Sequence, residues 1–281
     1  MNKEQMQEKL NDILLDLREE EKEANTIEKY KHNILHFLEW LPDDKEIAKE
    51  DILQYKRYII DELQFKTTTI NNYIVSVNMF LRRCGLGDLT VKKLKKQSKA
   101  SLNEMLTISD YKRLLRFAKR QDQNDTYLIM KILAQTGIRI DELKYFTVEN
   151  VKSNYIYVRN KGKERVIILR QDLAREIRKY CRDYKIKTGY IFIGAKNGKM
   201  ICKSTIWRRM KKIAGAARVK KEKVHAHSFR HLFAKQFLEE YNGNITELAD
   251  ILGHSNIETT RIYARTSDEE KRRKLENMSF K

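Results

Sequence analysis

Proline and cysteine are almost missing from this chain of 281 residues. Pro42 is the only proline, and ten glycines are spread along the sequence. Proline interrupts helices because it lacks a backbone N–H, so the scarcity of both residue types leaves long helices free to form. The three cysteines are widely separated and lack CxxC spacing, which argues against a disulfide framework and a zinc site. We expect a mainly helical protein in a reducing cytoplasm.

Long apolar runs and nucleotide-binding motifs are missing as well. No segment approaches the ~18 apolar residues of a membrane helix, and the N-terminal segment is charged, unlike a signal peptide. No GxxxxGK[ST] motif occurs, which removes a P-loop ATPase. The pairs His32/His36 and His227/His231 have a spacing that suits zinc on a helix, but neither has a third ligand at a recognisable spacing. We expect no membrane segment, no metal and no cofactor.

The formal net charge of +19 is concentrated in the second part of the chain. Residues 1–100 sum to zero, whereas residues 101–281 hold 40 basic and 21 acidic residues. Several basic stretches in one domain predict a polyanionic partner, and DNA would bind through counterion release. The expected DNA contacts are the basic residues of two runs, Lys92, Lys93, Lys95, Lys96, Lys203, Arg208, Arg209, Lys211 and Lys212.

Apolar residues repeat at helical spacing through the first part of the chain. Four such segments occur: one over residues 6–17, a second capped by Thr26 and stopping at Pro42, a third from about Lys49, and a fourth from residues 67–69 to Gly85. Four short helices predict a compact bundle over residues 1–90. The basic segment 91–101 is the expected linker to a second domain over 102–281.

The second domain combines predicted helices with a small sheet. Two helices lead to Gly137, a third begins near Ile138, and helical spacing returns over 171–186, 203–216, 228–241, 245–252 and 256–265. Segments 155–158 and 165–169 alternate around the turn residues Asn160, Lys161 and Gly162, which predicts a β-hairpin with a basic tip. Residues 190–194 are expected to add a third strand. The predicted class is mainly α, with a helical first domain and an α+β second domain.

The last quarter of the sequence holds residues suited to phosphate chemistry. His227 and Arg230 stand three residues apart near a helix start, so both face one target. The planar guanidinium of Arg230 suits the non-bridging oxygens of a phosphodiester and the charge of its transition state. His254 follows a Leu-Gly pair, and Tyr263 lies nine residues further on. These groups point to DNA strand cleavage through a phosphotyrosine.

Four motifs in one order resemble the tyrosine recombinase, or phage integrase, family. They are TGIRIDEL at 136–143, the hairpin lysine, HSFR with LGH at 227–230 and 252–254, and finally Tyr263. The resemblance extends over nearly the whole chain and implies a SAM-like core-binding domain at residues 1–90, before the catalytic domain. It also implies strand transfer through a covalent 3′-phosphotyrosyl intermediate with a free 5′-hydroxyl, without metal or ATP.

The resemblance gives each motif a role. Arg139 and Arg230 bind the scissile phosphate, and Tyr263 is the nucleophile. His227 takes part in proton transfer and contacts the phosphate, and His254 forms a hydrogen bond to the phosphate. Glu142 supports the first arginine without doing chemistry.

A lysine at the hairpin tip is the general acid that protonates the leaving 5′-oxygen. Lys161 fits that position. The segment 160–165 is one residue shorter than the family's usual G-K-G-x-K-x-R, so Lys163 stays open as the alternative.

The expected function is therefore site-specific recombination at a core site in double-stranded DNA. The resemblance implies a homotetramer on two duplexes, joined by C-terminal helices whose apolar residues here are Leu275, Met278 and Phe280. A partner recombinase or an accessory DNA-bending protein is a further candidate partner, and the nucleoid is the expected location. The chain begins almost directly with the core-binding helices, which indicates a compact Xer-like architecture. Two alternatives stay open: a type IB topoisomerase, and a DNA-binding architectural protein with a decayed active site.

Overall fold

The structure is a computed structural model that describes residues 1–43, 45–95, 105–160, 163–194, 198–253, 256–261, 263, 276 and 278. The chain divides into two compact units, Met1–Lys99 and Ala100–Lys281. Both units are mainly helical. The predicted class, mainly α with a small antiparallel sheet, is confirmed.

Within its described residues, the first unit contains four α-helices. They are α1 Lys3–Glu19, α2 Ala24–Trp40, α3 Lys49–Arg57 and α4 Thr67–Arg83. A π-helical turn, Tyr58–Glu62, continues α3, and a short 3-10 helix, Gly87–Leu89, follows α4. Apolar residues from each predicted stripe are buried in one core, as the periodicity predicts. This unit therefore owes its core to the helical spacing of its apolar side chains.

The start of α2 differs from the prediction. Thr26 was expected to cap this helix, but the helix begins at Ala24 and its N-cap is Glu23. The backbone N–H groups of Thr26 and Ile27 both donate to the Glu23 carbonyl, at 2.8 and 3.1 Å, so Thr26 already lies in the first turn. The predicted end is confirmed, because α2 stops at Trp40, just before the residue that precedes proline.

The second unit surrounds a larger core with helices and one hairpin. Its described elements are α5 Ile108–Arg120, α6 Asn124–Thr136, β1 Tyr155–Asn160, β2 Lys163–Ile168, α7 Gln171–Asp183, α8 Lys203–Ala216, α9 Ala226–Glu240, α10 Ile245–Leu252 and α11 Glu258–Arg261. Short 3-10 helices cover Ile140–Tyr145, Asn150–Lys152 and Lys221–Lys223. None of the helices in the described part of the chain is long and apolar enough to cross a membrane.

The sheet has two strands among the residues that the structure describes, and the predicted third strand is wrong. The two strands are antiparallel and pair from Tyr155↔Ile168 to Asn160↔Lys163. Segment 190–194 forms only isolated bridges, Thr147↔Tyr190 and Ile193↔Met200. Its backbone hydrogen bonds go to two different parts of the chain. The Ile191 N–H donates to the Phe146 carbonyl, and the Phe192 carbonyl accepts from the Ile201 N–H. A continuous ladder to the hairpin is therefore not formed.

Gly137 and Gly253 end the two helices that lead into the site. Both adopt left-handed backbone angles, with φ of +62° and +64°, which side chains with a Cβ rarely adopt. After Gly137 the structure has a short 3-10 helix from Ile140, whereas the sequence predicted an α-helix near Ile138. The difference arises because the Glu142 carboxylate accepts the backbone N–H of Arg139 and holds the chain in a tight turn.

Candidate active site

Arg230 lies inside the second unit, where its guanidinium contacts the ends of two helices. The residue is only 1% exposed. Nη1 donates to the Gly137 carbonyl at 2.5 Å after α6, and Nη2 donates to the Leu252 carbonyl at 2.9 Å at the end of α10. Helix C-termini carry partial negative charge, which favours a cation there. Burial and the charge of Arg139 lower the pKa of Arg230 to about 10, so the side chain remains cationic at neutral pH.

Glu142 is a buried carboxylate that joins Arg139 to Arg165. Its Oε2 accepts the Arg139 backbone N–H at 2.7 Å, and its Oε1 lies 3.5 Å from Arg139 Nη1. Burial opposes ionisation, but hydrogen bonds and the charges of both arginines outweigh it and hold the pKa of Glu142 below its ordinary value. Glu142 therefore remains an anion and fixes the turn from which the Arg139 side chain, 39% exposed, projects.

The first turn of α9 presents His227 close to these arginines. His225 is the N-cap, and its Nδ1 accepts the Ser228 backbone N–H at 3.2 Å. His227 is exposed to solvent at this end of the helix. Although the residue is exposed, its ring is partly desolvated by neighbouring atoms. This desolvation, followed by the charges of Arg230 and His225, lowers the pKa of His227, so the imidazole is mainly neutral at pH 7. A neutral imidazole can both accept and donate a hydrogen bond at a phosphate.

Tyr263 meets Arg230 beside a small apolar cluster. The tyrosine is 5% exposed and packs with Leu248 and Leu252. A side-chain hydrogen bond joins it to Arg230. The Tyr263 ring also lies 4.7 Å from the His231 ring, centroid to centroid, at an interplanar angle of 70°. A guanidinium beside the phenol can stabilise negative charge in the transition state when the tyrosine oxygen attacks.

The two arginines, His227 and the phenol thus combine cationic donors with a nucleophile. A phosphodiester is the substrate class that this combination suits, because its non-bridging oxygens accept from arginine while phosphorus is attacked. The model of one protein family, described as the phage integrase family, matches residues 104–270, a span that contains all of these residues. The chain belongs to the phage integrase family.

Relatives of this integrase-family protein are recombinases by name. The tyrosine recombinase XerA of Thermococcus kodakarensis is 30% identical over 263 residues, which cover 92% of this chain and 90% of that protein. The XerA of Pyrococcus furiosus is 28% identical, with 88% and 86% covered. The crystal structure of a XerA recombinase is 26% identical, with a TM-score of 0.55, and covers 98% of this chain and 99% of its own.

A more distant structure supports the fold of this integrase-family protein. A lambda integrase tetramer bound to a Holliday junction is 17% identical, with a TM-score of 0.74, and covers 95% of this chain and 80% of its own. At this identity the likeness concerns the fold alone.

Some residues predicted for the integrase site fall outside the described part of the chain. Lys161 and His254 are among them, and so is Lys96 of the basic linker. Lys163 is the first residue of β2 and pairs with Asn160, but its side chain lies outside the described part of the chain. The geometry above therefore concerns the arginines, Glu142, His227 and Tyr263.

The basic residues predicted on α8 have different surroundings. Arg209 forms an ion pair with Asp125, and Lys203 forms one with Asp141. Arg208 is exposed to solvent. Basic side chains that are exposed or half-exposed elsewhere in the two predicted runs are Lys92, Lys93, Lys95, Lys211 and Lys212.

Sequence reasoning missed two residues of this integrase site, Arg165 and His231. Arg165 shares a strand face with buried Ile167, and a charged residue at a buried position of an alternating pattern indicates a partner in the core. His231 follows Arg230 and stands four residues after His227, which places it on the same helical face. The His227/His231 spacing by itself suits a zinc pair and does not indicate a contact with Tyr263.

Proposed function

We propose that this phage integrase family member is a site-specific DNA recombinase with Tyr263 as its nucleophile. The observation that carries the proposal is the hydrogen bond between the Tyr263 side chain and buried, cationic Arg230. Recombinases named among the relatives, XerA of two archaea, are similar over most of this chain. The topoisomerase and the decayed architectural protein are not favoured.

The proposed reaction combines the groups present with the strand polarity that the family resemblance implies. Arg139 and Arg230 bind the non-bridging oxygens, and His227 contacts the phosphate and handles a proton. The Tyr263 oxygen attacks phosphorus while the bond to the 5′-oxygen breaks, which leaves a 3′-phosphotyrosyl link and a 5′-hydroxyl. The neutral imidazole of His227 takes the phenol proton as this bond forms, and a lysine of the hairpin gives a proton to the 5′-oxygen. Attack by a 5′-hydroxyl of another strand reverses these steps and rejoins DNA.

A nicked suicide substrate that carries the protein's own core site tests the nucleophile. Loss of the short fragment beyond the nick prevents rejoining, so the covalent adduct accumulates. We expect an adduct with the wild type and none with Tyr263→Phe, which retains the ring but lacks the oxygen. An adduct that persists in Tyr263→Phe contradicts the proposal. Relaxation of an unrelated supercoiled plasmid by a strict monomer points instead to a topoisomerase.

Lys161 is our proposed general acid, with Lys163 as the alternative. A substrate with sulfur in place of the bridging 5′-oxygen separates this role from phosphate binding, because a thiolate leaves without needing a proton. We expect Lys161→Ala to cleave the ordinary substrate slowly and the sulfur substrate at nearly the wild-type rate. Lys163→Ala is the matched control. The reverse pattern assigns the role to Lys163.

We also propose that residues 1–90 form a core-binding domain, 91–101 a basic linker and 102–281 the catalytic domain, including His254 at the scissile phosphate. The supporting observations are the two compact units and the exposed lysines at 92, 93 and 95. DNA binding by both domains is expected to place the protein at the nucleoid. Footprinting of Lys92→Ala and Lys93→Ala on the core site tests the linker contact, and an unchanged footprint and affinity contradict it.

The active assembly is proposed to be a homotetramer on two duplexes, joined by exchange of C-terminal helices. The lambda integrase structure is described as a tetramer bound to a Holliday junction, and its fold matches this chain. Sedimentation of the protein with a synthetic junction, before and after removal of residues 269–281, tests the assembly. We expect the tetramer to be lost on truncation while binding to a single half-site persists. A tetramer that survives truncation contradicts helix exchange, and addition of a DNA-bending protein tests the need for an accessory partner.

A further inference from the structure

His231 stands between two proposed catalytic residues. Its ring lies 4.5 Å from the His227 ring at an interplanar angle of 84°, and 4.7 Å from the Tyr263 ring at 70°. Both contacts are edge-to-face, the arrangement that aromatic rings prefer. Because His227, Arg230 and His231 all belong to α9, one rigid helix presents the phosphate-binding groups and a contact surface for the nucleophile.

Tyr263 follows a very short helix. The preceding helix, α11, is only four residues long and ends at Arg261. The backbone N–H of Tyr263 donates to the Thr260 carbonyl at 3.0 Å, which fixes the main chain at this point. Tertiary contacts surround the phenol ring: Leu248 and Leu252 of α10 pack against it, and the ring of His231 supplies a contact from α9.

The chemistry of His231 differs from that of the phosphate-binding residues. Burial, and then the nearby histidines and Arg230, lower the pKa of His231 to about 4, so the ring is neutral at physiological pH and adds no positive charge for phosphate. Its Nδ1 is buried and has no hydrogen-bond partner among the described residues. A buried nitrogen without a hydrogen-bond partner destabilises the fold. The Nδ1 atom of His231 therefore does not explain why this ring lies against Tyr263. The described contact between His231 and Tyr263 is therefore the packing of their two rings.

We propose that His231 is a positioning residue for the nucleophile, whose ring packs against the Tyr263 ring and sets the phenol beside Arg230. This inference rests on the proposed role of Tyr263. The hydrogen bond to Arg230 fixes the oxygen, and the His231 contact fixes the ring plane. Together with the packing against Leu248 and Leu252, these contacts define the direction of attack.

The test compares His231→Ala, which removes the ring, with His231→Phe, which retains a ring of similar shape. The full-length protein is assayed on the nicked suicide substrate under single-turnover conditions, and DNA affinity is measured separately. We expect His231→Ala to cleave about 10- to 100-fold more slowly, as a small misplacement of a reacting group does, with nearly unchanged DNA affinity. We expect His231→Phe to recover most of the rate and to melt at or above the wild-type temperature, because the buried nitrogen is gone.

Leu232→Ala is the control for general destabilisation, since Leu232 is the adjacent residue but packs into the main core of the second unit. It is expected to lower the melting temperature at least as much as His231→Ala while cleavage is retained. Wild-type cleavage by His231→Ala, or equal losses of cleavage in His231→Ala and Leu232→Ala, overturns the inference.

A His231→Phe variant as slow as His231→Ala also overturns it, because the imidazole nitrogens and not the ring shape are then required. Tyr263→Phe is assayed in parallel. If its adduct persists, the nucleophile assignment fails together with this inference. If its adduct is lost while His231→Ala cleaves normally, only the positioning role fails.

Discussion

Arg165 and Glu142 form an ion pair that is almost closed to solvent. Arg165 Nη2 lies 2.7 Å from Glu142 Oε2, and the two side chains are 12% and 1% exposed. Removing one partner of a buried pair leaves the other charge uncompensated, which costs far more than the pair itself contributes. The described side chains of β2 include none of the proposed phosphate ligands. A change at Arg165 on this strand is nevertheless expected to disturb the site, because Arg165 is paired with Glu142.

Arg165→Ala is predicted to lower the free energy of unfolding by about 3–5 kcal/mol, because the Glu142 charge remains buried without its main partner. Urea denaturation of the full-length protein measures this loss. Arg170→Ala is the matched control: its pair with Asp172 has side chains that are 70% and 47% exposed. An exposed pair of this kind contributes about 0–1 kcal/mol. Equal losses in the two variants contradict a special role of the buried pair.

The stabilising effect of the Glu142 charge is predicted to disappear in acid. The folded protein holds the pKa of Glu142 below its ordinary value of 4.5, so the contribution is complete above pH 4.5 and is lost as pH falls through the folded pKa. Glu142→Gln resembles the protonated side chain at every pH. The difference in unfolding free energy between wild type and Glu142→Gln is therefore expected to shrink below pH 4.5, and a constant difference argues against this linkage.

Gly253→Ala is predicted to damage the site by two routes. Its φ of +64° costs an L-residue roughly 1–2 kcal/mol, and a Cβ there would lie 2.5 Å from Cδ of Arg165. Gly243→Ala provides the control, because its φ is +77° but a Cβ would have no atom within 4 Å. We expect Gly253→Ala to be the less stable variant and to cleave more slowly, while Gly243→Ala retains cleavage. Thermal melting and suicide-substrate cleavage measure both effects.

Arg208 and Arg209 are predicted to differ although they are adjacent on α8. Arg208 is exposed, whereas Arg209 is paired with Asp125. Arg208→Ala is expected to reduce the slope of log affinity against log salt by ~0.9, the value for one phosphate contact. Arg209→Ala is expected to change this slope less and to lower stability more. Filter binding over a salt series checks the pair, and an unchanged slope in Arg208→Ala removes it from the DNA contacts.

The helices of the first unit were predictable because the spacing of apolar residues within each segment indicates them. Residues such as Ile34 and Phe80 recur at helical spacing and are buried, and Pro42 limits the end of α2. The third strand could not be excluded in the same way. Residues 190–193 are a run of apolar, β-favouring residues, but Tyr190 pairs with Thr147 and Ile193 with Met200, both outside the two strands of the hairpin.

The site was predicted residue by residue from motifs, but its connections were not. A motif predicts Arg230 to be a phosphate ligand, yet only the fold shows that the Gly137 and Leu252 carbonyls accept hydrogen bonds from its guanidinium. The contact of His231 with Tyr263 joins residues 32 positions apart in sequence. Such contacts depend on how α9 packs against the segment that follows α10, which periodicity alone does not specify.

The contacts of Arg165 hold one position of the hairpin in place independently of the length of the segment between its strands. Besides Glu142, its guanidinium donates to the carbonyl of Ile251 near the end of α10, so this position of β2 is fixed from two sides. The strand pair nearest to residues 161–162 is Asn160 with Lys163. Insertions or deletions at residues 161–162 therefore need not change the register at Arg165. The hairpin tip is a part of the enzyme whose length evolution, or protein engineering, can alter while the arginine and glutamate network stays in place.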